Sequence, residues 1–335
     1  MLPALLPALL ALAGSAPAPP ALLSRTGLYG PGGAPRVSPS LLAYAPQYPL
    51  WSDGAAKARW VLIPRGRTID VRDPDAWAFP VGTKFWKEFS FHGRKVETRL
   101  IWRASGEAWV YAAYAWRPDQ SEADLVEEGG RKGAAEIVPG VFHAIPGVRD
   151  CKACHETPAP TILGFGALQL STDRDPNALH GEPLRPGIAT LATLVERRLI
   201  SPLRREFVER PPRIQTPNPR TRAALGYLTS NCGTCHQPSN EIPHVTLALR
   251  HPYQAEGEAA APALRSAVGR PTHSAMLGPG TVAIAPGHPE ESLVLARMAT
   301  RQRLTQMPPV GTALADDEAL ALLRAWIAED LGILK

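Results

Sequence analysis

The four cysteines of this 335-residue chain fall into two short units, Cys151-Lys152-Ala153-Cys154-His155 and Cys232-Gly233-Thr234-Cys235-His236. Both read CxxCH. Two thiols at that spacing reach the two vinyl groups of a haem, and the histidine that follows at once falls beneath the iron as an axial ligand. The units predict two covalently bound haem c groups, held by Cys151, Cys154, Cys232 and Cys235, with His155 and His236 on iron. Other uses of paired cysteines fit less well. A zinc site made from two CxxC units keeps roughly 15 to 20 residues between them, far fewer than lie between Cys154 and Cys232. A redox-active CxxC calls for a thioredoxin-like βαβ setting, and two disulfides would not fix a histidine after each pair. With nine histidines in the chain, one after both pairs by composition alone is an event on the order of one in a thousand.

The second ligand of each iron is the next question. Of the four methionines, Met307 precedes Pro308-Pro309, which hold an extended loop able to aim a thioether at an iron. Met307 is therefore the expected distal ligand of the second haem, with Met276 a minor alternative. Met298 shares a helical segment with Leu293 and Leu295, and its expected role is core packing. No methionine follows Cys154 within the same stretch, which leaves His143, His180, a methionine from the other domain, or no protein ligand for the first iron. His143 is near in sequence, and Pro146-Gly147 lets the chain turn back.

These residues need elements to position them. Thr221 to Leu228 has helical spacing and runs into Asn231-Cys232, and Asp316 to Leu331 reads as an amphipathic helix with acids in its first turn. Between them, about 240 to 300 forms an insertion with strand-like Thr281 to Ile284 and helix-like Glu290 to Met298. Upstream the periodicity changes. Seven of the eight tryptophans lie between Trp51 and Trp116, where apolar residues alternate as in strands. In Lys95 to Arg103 one face is mostly apolar while Lys95, Glu97, Arg99 and Arg103 line the other, and Trp109 to Trp116, apolar on both faces, is expected to be a central strand. Lys87 breaks the pattern, sharing a strand face with Phe85, Phe89 and Phe91. It snorkels, pairs with an acid, or meets a haem.

The expected fold class is α+β: an N-terminal antiparallel β domain with a haem motif at its end, then a mainly α cytochrome c domain. The divisions are a signal peptide at 1–24, the β domain at 25–203, an exposed Pro/Arg-rich linker at 204–220 and the cytochrome c-like domain at 221–335. The leader is apolar, proline-broken and too short to span a bilayer, so an exported, periplasmic location with no transmembrane segment in the mature chain is expected. A net charge of +5 with acids interleaved and no dense basic block gives no support to nucleic-acid binding. Haem propionates would add about −4 and bring the holoprotein near neutrality. Asp53, Asp73 and Asp75 read as backbone caps at turns.

Several phrases carry a resemblance. YPLWSDGAAKARW, FPVGTKFWKEFSF and ETRLIWR, followed by a CxxCH and LGFGALQL, resemble a family of secreted bacterial haem proteins of unassigned activity, over about 40 to 175. More loosely, an aromatic-rich antiparallel domain with a GTxxxKE strand and a C-terminal CxxCH is similar to the cytochrome c-prime-beta group and its hydroxylamine-oxidising relatives. That likeness implies a haem with an open distal face and, in the enzymes, a lysine bonded to the porphyrin, a place Lys87 or Lys84 could take. The last third resembles a mono-haem cytochrome c domain. No wider match to the di-haem peroxidases is present.

Two functions from different classes follow. One is electron transfer between exported redox protein partners. The other is a haem enzyme or gas-binding protein whose first haem takes a small ligand such as peroxide, nitric oxide or hydroxylamine, with the second haem as electron relay. An open coordination position separates them.

Overall fold

A computed structural model of the chain describes residues 17–30, 36–106, 108–156, 162–237, 246–253, 261–274 and 276–332. The strands are β1 (Leu42–Tyr44), β2 (Ala56–Leu62), β3 (Ile69–Asp70), β4 (Lys84–Phe91), β5 (Arg94–Arg103), β6 (Trp109–Trp116), β7 (Ala123–Leu125), β8 (Arg131–Val138), β9 (Val141–Ile145), β10 (Ile188–Ala189) and β11 (Ile200–Ser201). The helices are α1 (Val148–His155), α2 (Leu191–Glu196), α3 (Glu206–Glu209), α4 (Pro219–Asn231), α5 (Pro262–Ala267), α6 (Leu293–Ala299) and α7 (Asp317–Ala325). The class is α+β.

Seven strands form the main sheet in the order β10-β1-β2-β4-β5-β6-β7, an antiparallel meander with one parallel pair, β1 with β10, at its edge. His92 and Gly93, both at positive φ, turn β4 into β5 in a two-residue hairpin. Because side chains alternate, the register sorts the meander into two faces. Trp60, Trp86 and Leu100 lie on one, and Leu23 and Leu28 cover them. Each side chain so buried contributes about 1.5–3 kcal/mol.

Residues 20–24, expected in the leader, are thus built into the domain: Tyr114 donates to the Pro20 carbonyl at 2.9 Å, and Leu125 N–H to Ala21 O at 2.9 Å. The leader's first sixteen residues lie outside the described ones.

Strand β6 is not central. It lies next to edge strand β7, and its two-sided burial has another source. Ala112 and Tyr114 pack under the N-terminal segment, while Ala113 and Ala115 meet Ile145 of β9 and α1 lies against the same strand.

The stretch expected to be an exposed linker is folded in. It contains α3, its Phe207 and Ile214 are fully buried, and Arg204 donates to the carbonyls of Val71 and Arg72. Apolar residues at two positions outweigh the prolines around them.

Past it, α4 begins as its sequence dictates, with Asn218 accepting from Arg220 and Thr221 and Pro219 in the first turn. Asp316 caps α7 in the same way, and a π-helical turn, Trp326–Asp330, continues it. The core here gathers Leu225 and Leu228 of α4, Leu295 and Met298 of α6, and Leu323, Trp326 and Ile327. Thr281 to Ile284 makes only isolated bridges, to Val268, Pro271 and Ser292, and is no strand. Among the described residues no helix is long and apolar enough to cross a membrane.

Candidate cofactor site

Helix α1 carries the first CxxCH unit. Its start is held by Gly147, whose N–H donates to Asp150 at 3.0 Å and whose Cα packs so tightly on Glu128 and Gly129 that a side chain there would overlap backbone. The ring of His155 stacks on Tyr111 of β6 at 5.9 Å with 29° between planes, and Tyr111 donates to the His155 carbonyl at 3.4 Å. Burial pushes the Cys151 thiol up to about 11 and raises that of Cys154, so both retain their protons at neutral pH. Both are thus thiols and not reactive thiolates.

The sheet face beside α1 is the one its charges occupy. Arg59, Lys87 and Arg99 stand directly opposite one another across β2, β4 and β5, and Lys57 lies two residues along β2. Alternation marks Glu97 and Arg99 as the polar side of β5, yet Glu97 is fully buried. The polar side points into the site. Arg59 pairs with Glu182 at 2.6 Å and Arg99 with Glu97 at 2.5 Å. Lys57 donates to Leu50 O at 2.9 Å. Lys87 makes no ion pair among the described residues, and its ammonium sits 4.7 Å from the ring centre of Phe89. Burial first, then Arg59, Lys57 and Arg99, drives its pKa well below the ordinary lysine value. Cations outnumber acids on this face, which suits an incoming carboxylate. Lys84 points the other way, donating to Thr26 O at 2.8 Å.

Next to Lys87 and Arg59 opens a cleft of about 110 Å³, with Trp77 and Phe165 among its aromatic lining. Its far side comes from the second unit: Thr234, inside the second CxxCH, and His251. The imidazole of His251 is 6% exposed, and neither ring nitrogen has a hydrogen-bond partner. Burial lowers its pKa to about 4, so the ring is neutral with a lone pair available. Arg59 also leaves Nη2 buried without a partner. Orphaned buried polar atoms are rare in folded proteins and mark a place where another group binds.

The second CxxCH unit follows α4 directly. Cys232 N–H donates to Leu228 O at 3.0 Å and His236 N–H to Cys232 O at 2.9 Å. Burial pushes the Cys232 thiol up to about 12 and raises Cys235. The Nδ1 of His236 is buried without a partner, and burial, then the charge of Arg297, lowers its pKa. Met307 reaches the same neighbourhood: its N–H donates to Arg297 O at 2.8 Å, and Arg301 holds the Met298 and Met307 carbonyls. Met276 is 39% exposed, and Met298 is a core residue as its helix spacing predicts.

The loop after Met307 is clamped by the β domain. Asp53 accepts from Ala313 N–H at 2.8 Å and Leu314 N–H at 2.9 Å, Trp51 Nε1 donates to Leu314 O at 3.4 Å, and Trp51 N–H donates to Asn231 at 2.7 Å, just ahead of Cys232. Asp53 is a backbone cap as expected, but of backbone far along the chain. Asp73 caps Asp75 locally at 2.9 Å, whereas Asp75 accepts from Tyr253 N–H at 3.0 Å.

Burial is the first cause of the raised Cys154 thiol, and the charge of an ionised Cys235 would raise it further. The two histidines named for the first iron each bond a carboxylate through Nε2. His143 is buried with Nε2 on Glu97 at 2.8 Å, and His180 bonds Asp316 at 2.9 Å against the ring of Trp51. Sequence reasoning did not single out His251, Arg59 or the Trp51–Asp53 clamp, although the YPLWSDGAAKARW phrase contains three of those residues. The donors fit a haem: paired thiols beside each histidine, an aromatic wall of Trp77 and Phe165, surplus cations for propionates and a spare buried imidazole. No protein-family model, no curated protein and no solved structure matches the chain.

Proposed function

We propose that this protein is an exported di-haem c-type cytochrome that passes electrons between redox protein partners. One observation carries the reading: each CxxCH unit lies against the cationic face of the sheet, the first through His155 on Tyr111 of β6, the second through Thr234, which lines a cleft together with Lys87 and Arg59. Haem bound through Cys151 and Cys154, and through Cys232 and Cys235, supplies one-electron chemistry at iron. His155 and His236 would bind iron from the proximal side, Met307 would complete the second site, and Lys87 with Arg59 would neutralise propionates. Beyond the effect of burial, an ionised Cys235 would raise the Cys154 thiol, which supports attachment points within reach of each other.

The test is haem content after export in a host with the covalent attachment machinery. Mass spectrometry should find two haem additions, one lost in Cys151→Ala/Cys154→Ala and the other in Cys232→Ala/Cys235→Ala. A mature protein without covalent haem sinks the reading.

A second reading, a haem enzyme or gas-binding protein with an open first iron, is favoured by one observation. Glu97 bonds Nε2 of His143 and Asp316 bonds Nε2 of His180, which leaves only Nδ1 of either ring for an iron. Carbon monoxide binding by the reduced protein distinguishes the two.

A further inference from the structure

We infer that the cleft lined by Lys87 and His251 is a carboxylate site, in which Arg59, Trp77 and His251 donate to the ligand oxygens and Lys87 supplies charge. The inference deepens the di-haem reading if the carboxylate is a haem propionate, and stands without that reading if it is a free small acid.

Three residues that line this cleft bury nitrogens with no hydrogen-bond partner among the described residues: Arg59 at Nη2, Trp77 at Nε1 and His251 at both ring nitrogens. The three are 4%, 7% and 6% exposed. A buried donor without an acceptor has given up its bonds to water for nothing, and folded proteins hold few such groups. Three of them around one cleft of about 110 Å³ describe a site whose ligand supplies the acceptors.

The lining also sets the sign of that ligand. Arg59, permanently charged, spends Nη1 on Glu182 at 2.6 Å and keeps Nη2 in hand. The indole of Trp77 can only donate. His251 is neutral, since burial lowers its pKa to about 4, and has one N–H to give. Lys87 stands opposite Arg59 across the strands and makes no ion pair among the described residues. Burial, then Arg59, Lys57 and Arg99, lower its proton affinity, an effect that an anion among these cations would oppose. The acceptors close by are engaged: Gln169 Oε1 takes Tyr48 N–H at 3.0 Å, and the Asp75 carboxylate takes Tyr253 N–H at 3.0 Å and lies 3.9 Å from Arg250.

A carboxylate answers this arrangement, because its two oxygens together accept about four hydrogen bonds and its charge meets a guanidinium and an ammonium. A large ligand does not fit, since sites for drug-sized molecules run roughly 300–1,000 Å³. What enters is the acid end of a small molecule or of a side arm. The donors are also held in place. His251 N–H donates to Thr229 Oγ1 at 3.2 Å, and its neighbours Arg250 and Tyr253 bond Asp75. The Trp77 ring meets Phe165 edge-on at 5.8 Å and stacks on Phe207 at 6.3 Å. Backbone ties on one wall and ring packing on the other keep both rings at the cleft.

The experiment uses the full-length exported protein, with haem counted by mass and acetate as the free probe. Calorimetry reads acetate binding, and resonance Raman reads the propionate bending modes of bound haem. Saturable acetate binding that weakens about tenfold or more in Arg59→Lys, Trp77→Phe and His251→Phe, as expected for losing one hydrogen bond to a charged group, supports the inference with a free acid as occupant. Haem-loaded protein that binds no acetate but shifts a propionate mode in the same variants supports it with the haem as the source. Acetate binding indifferent to all three variants overturns it, as does the absence of both acetate binding and a shifted mode. Trp77→Phe keeps the ring and loses only the indole N–H, so it serves even where Arg59→Lys fails to fold. Missing haem removes the di-haem reading alone, and acetate binding then decides this one.

Discussion

The ring of Tyr48 lies flat on the backbone of Gly226, so close that a methyl group on Gly226 would overlap it. Tyr48 belongs to the β domain by sequence and to the helical core by packing, where it joins Leu225, Leu228 and Trp326. Its hydroxyl donates to Asp175 at 3.0 Å, and Arg222, one helical turn before Gly226, bonds Asp173 at 3.1 Å. The boundary between the two units is a packed interface rather than a hinge.

Gly226→Ala should therefore destabilise the protein by about 1–3 kcal/mol, the usual result of forcing a methyl group into a filled core. Tyr48→Phe should lose less, about 0.5–1.5 kcal/mol for one hydrogen bond. Thermal unfolding followed by circular dichroism ranks the two. Equal losses would mean that the ring does not rest on the helix.

The Asp53 clamp should stabilise the Met307 loop without touching iron. Met307→Ala should abolish the long-wavelength sulfur-to-ferric-iron absorption outright. Asp53→Ala should keep that band at low temperature and lose it earlier on heating, since two charge-assisted bonds worth about 1.5–3 kcal/mol each are removed. Asp53→Asn should fall between them, because asparagine tolerates the positive φ at this position and keeps one acceptor. Absorption during a temperature ramp reads all three. A band unaffected by Met307→Ala would reassign the distal ligand of the second haem.

Lys87→Gln removes a positive charge from the face proposed to receive the first haem. A cation near iron disfavours the ferric state, so its removal should lower one of the two reduction potentials by roughly tens of millivolts, the equivalent of about 1 kcal/mol. The other potential should move much less. Spectroelectrochemical titration gives both. Two unchanged potentials would place the first haem away from Lys87.

Glu88 faces the opposite side of the sheet, where burial raises its carboxyl pKa despite Lys95 at 3.2 Å. An acid with a raised folded-state pKa binds its proton more tightly when folded. Its contribution is present below the ordinary carboxylate range and is lost as pH rises through that range toward the folded value. Glu88→Gln should flatten this part of the stability curve. Denaturant unfolding at a series of pH values above about 4.3, the ordinary glutamate value, tests it. A variant with the parent's slope would assign the dependence to another group.

Much of the fold follows from local pattern. The hairpin at His92-Gly93, the start of α4 at Asn218-Pro219 and the Asp316 cap of α7 are each set by a few adjacent residues, and each is where its sequence points. Two expectations erred because they relied on composition alone. Two-sided apolarity put β6 in the middle of the sheet, when what it reflects is cover on both faces, from the N-terminal segment on one and from Ile145 and α1 on the other. Proline density made 204–220 a linker, when Phe207 and Ile214 anchor it. The charged side of β5 likewise reads as a surface until the first CxxCH helix is seen to lie beside it.

Two thiols and a histidine within five residues need no tertiary information, because covalent spacing alone sets how they would meet a haem; the α+β class and the proposed cofactor are therefore both legible in the sequence itself. The pairing of distant elements was decided only by tertiary structure. Trp51 against Leu314, Asp75 against Tyr253, and Thr234 in one cleft with Lys87 join residues far apart in the chain, chosen by the mutual burial of Tyr48, Gly226 and their neighbours. No periodicity or motif records such contacts, since they depend on which two apolar surfaces exclude water together.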